Sequence, residues 1–206
     1  MAAAGLLLAG GAGRRMGEPK ALVRFRGVRL VTLAVQALTD AGCAPVTVVL
    51  GARADEARAA LREGDAPADL HTVVADGWDE GMGASLRRGL EAVRTLRPLP
   101  DAVLVHLVDL PGVTADAIRR TAGDGDDPSA LRRAAYDGRA GHPVLIGRDH
   151  WDAVTDAASG DEGARSYLGG NPAVQLVECG DLAVPDDVDT PEQLARLAAR
   201  TAPPGG

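Results

Sequence analysis

Short apolar runs bounded by glycine, proline and acidic residues alternate with helical periodicity from the first residues to about Arg200, and few folds accept that alternation. Strands are expected at Gly5–Ala9, Val46–Leu50, Leu70–Ala75, Ala102–Val108, Arg133–Tyr136, Val144–Ile146 and Val174–Val177. Helices are expected near Leu30–Ala41, Ala54–Arg62, Ala84–Leu96, Thr114–Thr121, His150–Ala157, Gly163–Leu168 and Pro191–Ala199. Strands joined by helices cross over and lie parallel, with helices on both faces. The expected class is therefore α/β: a Rossmann-like three-layer α/β/α sandwich around a mostly parallel, doubly wound sheet. Tyr136–Pro143 breaks the alternation, because Asp137-Gly138 within it reads as the turn of a small antiparallel hairpin. Residues 1–200 read as one domain and 201–206 as a disordered tail.

Composition narrows the function. The 206 residues are 46% hydrophobic and 25% charged, as in a soluble globular protein. Only one Phe, two Trp and two Tyr are available, too few for a base-stacking platform, and the net charge of −7 opposes general polyanion binding, so no nucleic-acid partner is expected. The apolar start Met1–Ala9 lacks the positive flank of a signal peptide and reads as a buried first strand. No apolar run approaches the roughly 20 residues of a membrane span. Cys43 and Cys179 have no metal or redox spacing, which suits a cytoplasmic protein.

In open α/β sheets ligands sit beyond the carboxyl ends of the strands, where the strand order reverses. The first strand opens there into Gly10-Gly11-Ala12-Gly13-Arg14-Arg15-Met16-Gly17-Glu18-Pro19-Lys20. A dinucleotide fingerprint would need glycine where Met16 stands and an acidic residue after the second strand, where Leu50-Gly51 stands. A Walker loop would need Gly-Lys followed by Ser or Thr, whereas Glu18-Pro19 separates Gly17 from Lys20 and Ala21 follows. What remains is a glycine loop able to offer backbone N–H groups to an anion, with three cations, Arg14, Arg15 and Lys20, against one carboxylate. That suits a triphosphate, although a solvated turn would look similar. Lys20 is the only lysine beside twenty-one arginines, which suggests that this position wants a compact ammonium and not a planar fork.

Three further signals follow strands or open helices. Asp109 ends the apolar run Ala102–Val108 and is placed to hold a metal or to cap the next helix. Mg²⁺ takes one or two carboxylates plus phosphate oxygens, and Asp187-Val188-Asp189 offers the second; Asp189 is favoured, but it could instead cap the helix beginning at Pro191. Gly81-Met82-Gly83-Ala84-Ser85 opens a helix whose free N–H groups suit a phosphate. His71, His106 and His150 have no partners at metal spacing and read as structural.

The run LAGGAGRRMGEPKAL at Leu8–Leu22 resembles the signature of the molybdenum-cofactor nucleotidyltransferases, which share a fold with sugar-phosphate nucleotidyltransferases. The resemblance continues through GMGASLRRGL (Gly81–Leu90), VDLPGV (Val108–Val113), GHPVLI (Gly141–Ile146), GDEGAR (Gly160–Arg165) and DVDTPEQL (Asp187–Leu194). Taken together the blocks look most like the molybdenum-cofactor cytidylyltransferases. This resemblance implies nucleotide contacts from Leu8, Ala9, Gly10, Gly11, Ala12, Gly13, Lys20, Gly83 and Ser85. It implies contacts to the second substrate from Gly81, Met82, His142, Pro143 and Arg165, and a Mg²⁺ ion on Asp109 and Asp189. Arg14, Arg15, Lys20 and Asp109 would carry the catalysis.

The implied reaction moves CMP from CTP to the terminal phosphate of molybdenum-bound molybdopterin, releasing pyrophosphate, with a molybdenum-hydroxylase apoenzyme as receiver of the product. Cytidylyl members read LAAG where this chain has Leu8-Ala9-Gly10-Gly11, the form more usual among guanylyltransferases, and a missing methyl at Gly10 would widen the base pocket. GTP is therefore the alternative nucleotide. A sugar phosphate is the alternative acceptor, and a non-catalytic carrier of the cofactor is the alternative of a different class.

Overall fold

The computed structural model describes residues 3–64 and 66–201. Strand β1 (Ala4–Ala9) is buried along its whole length because a parallel neighbour lies on each side and helices cover both faces. The chain continues through the short strands β2 (Arg24–Phe25) and β3 (Val28–Arg29), then α1 (Leu30–Asp40), β4 (Val46–Leu50), α2 (Ala54–Glu63), β5 (Leu70–Val74) and α3 (Met82–Val93). The second half comprises β6 (Ala102–Leu107), α4 (Ala115–Ala122), β7 (Leu131–Tyr136), β8 (Arg139–Gly147), α5 (Trp151–Ala157), α6 (Arg165–Leu168), β9 (Gln175–Glu178) and α7 (Pro191–Arg200).

Seven strands form one sheet in the order β5-β4-β1-β6-β8-β7-β9. The strand order reverses at β1, which has β4 on one side and β6 on the other. Alternation along β1 sorts its side chains between two cores. Leu7 and Ala9 pack with Leu30, Ala57, Ile118 and Leu197, from α1, α2, α4 and α7. Leu6 and Leu8 pack with Leu86, Leu90, Trp151 and Leu168, from α3, α5 and α6. Three layers result, as the alternation of apolar runs implies.

Strand β8 is the one member that runs against the others, pairing antiparallel with both β6 and β7. Its hairpin with β7 turns at Asp137-Gly138, both at positive φ (51° and 74°), the conformation a two-residue hairpin turn requires. The reversal has a consequence for the site: Val105 of β6 faces Val144, so Gly141 and His142 at the start of β8 lie beside the carboxyl end of β6.

Some boundaries differ from the sequence expectation. Strand β8 extends over Arg139–Gly147, well beyond Val144–Ile146, because hairpin pairing carries it through polar residues. Helix α6 is a single turn beginning at Arg165, since Gly160–Glu162 forms a separate 3₁₀ turn and Gly163 takes a positive φ of 54°. The β2–β3 hairpin, turning at Arg26-Gly27 (φ 52° and 84°), has strands too short to show a period. Of the expected tail, Thr201 is described and closes α7 by donating its N–H to Leu197, whereas residues 202–206 lie outside the described part.

Candidate active site

Where β1 ends, the chain turns sharply through the glycine loop. Gly13 has φ +60°, and a Cβ there would lie 1.9 Å from the Glu18 carbonyl oxygen, so the loop can fold back only over a residue without a side chain. The Gly10 carbonyl accepts from the Ala52 N–H (3.2 Å), tying the loop to the segment that follows β4. Pro19 then starts the 3₁₀ turn Lys20–Leu22, which sends the lysine toward the end of β6.

Lys20 Nζ lies 2.6 Å from Asp109 Oδ2 and 2.5 Å from Asp189 Oδ1. All three side chains are mostly buried, each with less than about a fifth of its surface exposed. Burial opposes the ammonium charge, but the two carboxylates outweigh it and the Lys20 pKa is raised. The hydrogen bond from Lys20, followed by its charge and that of Arg15, holds the Asp189 carboxyl below the usual carboxylate range. Arg15 Nη2 approaches the other oxygen of Asp189 at 2.6 Å from the solvent side, its own side chain 71% exposed.

Backbone pairing brings the second carboxylate here. The Val188 N–H donates to the Asp109 carbonyl (2.9 Å), laying 187–189 alongside the end of β6, and Val188 is fully buried. Asp189 does not cap α7. Thr190 does so, in a capping box with Gln193, whose side-chain oxygen also receives the Asp189 N–H. The carboxylate is thereby free to face Lys20, while Asp187 is exposed and borders a separate cavity.

Two cavities meet at Asp109. The first, about 260 Å³, is lined by Gly10, Gly11, Lys20, Trp78, Gly81 and Ser85 among others. The second, about 300 Å³, is lined by Leu86, Arg133, His142, Ile146, Arg165 and Asp187 among others. Leu8, Met82, Leu107, Asp109 and Asp161 border both. Helix α3 begins at the first cavity, so the unpaired N–H groups of its opening turn are available to an anion there.

The structure thus gathers Leu8, Gly10, Gly11, Lys20, Gly81, Met82, Ser85, Asp109 and Asp189 at one junction, with His142 and Arg165 in the adjoining cavity. Other expected contacts stand apart. The Ala9 side chain packs in the core beneath the sheet, and Gly83 meets the Ser159 backbone, where a Cβ would approach within 2.8 Å. Pro143 is buried in β8 behind His142, Arg14 is exposed, and neither Ala12 nor Gly13 borders either cavity. Gly10 borders the first cavity, where a methyl on it would sit 3.0 Å from Ser85 Oγ and 3.5 Å from Trp78 Cβ. Sequence reasoning missed Trp78, Asp161 and Arg133; Trp78 stands three residues before one recognised block, Asp161 lies inside another, and Arg133 reads as an ordinary strand residue.

The arrangement suits a divalent cation. Two carboxylates from different strand ends converge on one positive charge, and the Lys20 ammonium stands where such an ion's charge would be shared. Among the described residues no group of three or more His, Cys, Asp or Glu could hold a metal ion without further ligands. No described helix is long and apolar enough to cross a membrane.

Comparison with known proteins supplies the context. The chain is 39% identical over 204 residues to a nicotine blue oxidoreductase of Paenarthrobacter nicotinovorans, covering 94% of this chain and 95% of that protein. It is 29% identical to a molybdenum cofactor guanylyltransferase of Rhodobacter capsulatus across 97% of both. A Mycobacterium tuberculosis protein solved in complex with manganese superposes with a TM-score of 0.75 at 26% identity, covering 97% of this chain and 99% of that one. The MobA-like NTP transferase domain matches residues 5–176, and the chain belongs to that family of nucleotidyltransferase enzymes.

Proposed function

We propose that the protein transfers a nucleotidyl group from a nucleoside triphosphate to the terminal phosphate of molybdopterin carrying molybdenum, and releases pyrophosphate. The observation that carries this reading is the Lys20–Asp109–Asp189 cluster at the boundary shared by two cavities, one glycine-walled and one apolar with arginines. Two substrates entering from opposite sides would meet at Asp109.

The chemistry needs no strong base. A terminal phosphate, with second pKa about 6, is largely ionised at neutral pH and can attack the α-phosphorus directly. Asp109 and Asp189 would hold a Mg²⁺ ion, which would supply positive charge to the phosphates; the new P–O bond forms as the bond to pyrophosphate breaks. The glycine loop and the first turn of α3 hold phosphate oxygens through backbone N–H groups, and Lys20, with Arg15 beside Asp189, takes up the charge on the departing pyrophosphate. Loss of one such contact costs about 2.7–4 kcal/mol of activation energy, by analogy with oxyanion donors.

For the base, the GHPV, GDEGAR and DVDTPEQL blocks support CTP. The LAGG form and the guanylyltransferase relative support GTP. Purified protein with Mg²⁺, molybdopterin and each of the four nucleoside triphosphates, read by pyrophosphate release, tests the function and the base together. Turnover with sugar phosphates but not molybdopterin would change the acceptor, and binding without turnover would favour a cofactor carrier delivering to a molybdenum-hydroxylase apoenzyme.

A second reading is oxidoreduction, which the relative at 39% identity favours. Against it stand the absent dinucleotide fingerprint at Met16 and a cation cluster built for phosphate. Oxidation of a reduced nicotinamide cofactor by a dye substrate, followed by absorbance in the same preparation, separates the two.

A further inference from the structure

The second cavity contains two guanidinium groups that the fold leaves without counter-ions. Arg133, on β7, is half-buried and donates only its Nε to the Gly141 carbonyl (2.9 Å), a bond that aims the rest of its fork at the cavity. Arg165 opens α6 on the facing loop and is exposed. Asp109, Asp161, Glu162 and Asp187 also border this space, yet among the described residues none lies within 4.0 Å of either guanidinium. Two like charges sharing a cavity is unfavourable unless an anion joins them. Burial, and then the charge of Arg165, holds the Arg133 pKa below the ordinary arginine range.

The His142 ring also borders this cavity, with its Nδ1 buried away from the free space. Burial, reinforced by Arg133, lowers its pKa to about 4, so the ring is neutral at physiological pH. The rest of the lining includes Leu8, Leu86, Leu107, Val144 and Ile146, an apolar wall suited to a flat body.

We propose that Arg133 and Arg165 form a two-sided clamp for a phosphate monoester. This rests on the nucleotidyl-transfer reading, in which the clamped ester is the acceptor, and it assigns Arg133 as a residue that selects the acceptor. Arg133 supplies a fork held by β7 and β8, whereas Arg165 reaches in from an exposed position at the start of α6, so the first sets where the phosphate sits. Bidentate guanidinium contacts to phosphate are the strong, geometrically selective kind.

Calorimetric titration of the full-length protein with phenyl phosphate tests this, using Arg133→Gln, Arg165→Gln and Arg133→Lys. Each Gln variant should bind the probe about tenfold more weakly, since a charge-assisted contact is lost, while affinity for GTP and CTP stays within about twofold of the parent. Arg133→Lys should recover only part of the loss, because an ammonium cannot present a fork. If Arg133→Gln melts early, Arg165→Gln, which removes no hydrogen bond of the fold, carries the test. The clamp is overturned if both Gln variants bind phenyl phosphate like the parent, or if nucleotide affinity falls in parallel. Failure of the nucleotidyl reading looks different: the probe binds and responds to the variants, but no nucleotide releases pyrophosphate.

Discussion

Replacing Lys20 with methionine should make the protein bind a divalent cation more tightly when no nucleotide is present, even as turnover collapses. The ammonium lies 2.6 Å from one carboxylate and 2.5 Å from the other, so the two acceptor oxygens are no more than about 5 Å apart. Unit charges at that distance repel by roughly 3 kcal/mol at an effective dielectric near 20 and by under about 1 kcal/mol in water. The partial exposure of these groups places the value between those limits. Methionine conserves the stem's volume and removes the charge, leaving a pair of carboxylates that a divalent ion can neutralise without first displacing an ammonium. About 1.4 kcal/mol of that repulsion, relieved by the ion, tightens binding about tenfold. Free Mn²⁺ measured by electron paramagnetic resonance during titration reads this directly, and urea unfolding without metal should show the variant less stable by about 1–3 kcal/mol. In the parent, ion and nucleotide should bind cooperatively, as nucleotide phosphates would draw Lys20 away from the carboxylates; in Lys20→Met that coupling should vanish. Mn²⁺ affinity in the variant equal to or weaker than the parent's would refute the idea that the lysine occupies the ion's place.

Other substitutions probe neighbouring parts of the same site. Asp189→Asn should raise the metal concentration needed for half-maximal turnover, while Asp187→Asn, whose side chain is exposed, should leave it nearly unchanged; the reverse order in a Mg²⁺ titration would reassign the ligand. Gly13→Ala forces a side chain toward the Glu18 carbonyl at positive φ, a cost of about 1–3 kcal/mol, and should lower nucleotide affinity with little change in melting temperature if the loop alone is displaced. Gly10→Ala presses on Ser85 and Trp78 and should weaken CTP and GTP alike; a selective loss of GTP would support a pocket-width account of base choice. The pH profile of turnover should show one rising limb near pH 6 from the acceptor phosphate and none from the cluster. Asp189 has a depressed folded pKa, so its contribution to stability is present above its unfolded value near 3.9 and lost only as pH falls through the folded one. Lys20 is raised, so its contribution is complete below about 10.4 and lost only as pH rises through the folded value. A second limb between about pH 5 and 9 in the parent's profile would contradict this assignment.

The glycine loop was readable because its constraint is local: a chain that reverses within a few residues needs Gly13, and the reason is a contact with Glu18 five positions away. Asp109 was readable too, since a carboxylate ending a continuous apolar run must emerge at the rim of the sheet. Arg133 was not. On an inner strand near the sheet's edge, a polar residue in an apolar run resembles a solvent-facing position, and only the antiparallel return of β8 and the loop before α6 show what it faces. What surrounds Gly10 was likewise hidden, because Ser85 and Trp78, distant in sequence, stand beside it only in the folded chain.

Periodicity and turn chemistry, which act over a few residues, were thus enough to determine from the sequence the layered α/β class, the glycine loop after the first strand and the candidate charged groups. Tertiary structure decided which groups meet. It selected Asp189 over Asp187, because buried Val188 and its bond to Asp109 set which neighbouring side chain faces Lys20. It also joined two cavities at one aspartate, since β1 and β6 end together at the reversal of the sheet. Electrostatic partnership depends on distances across the fold, and no local pattern encodes them.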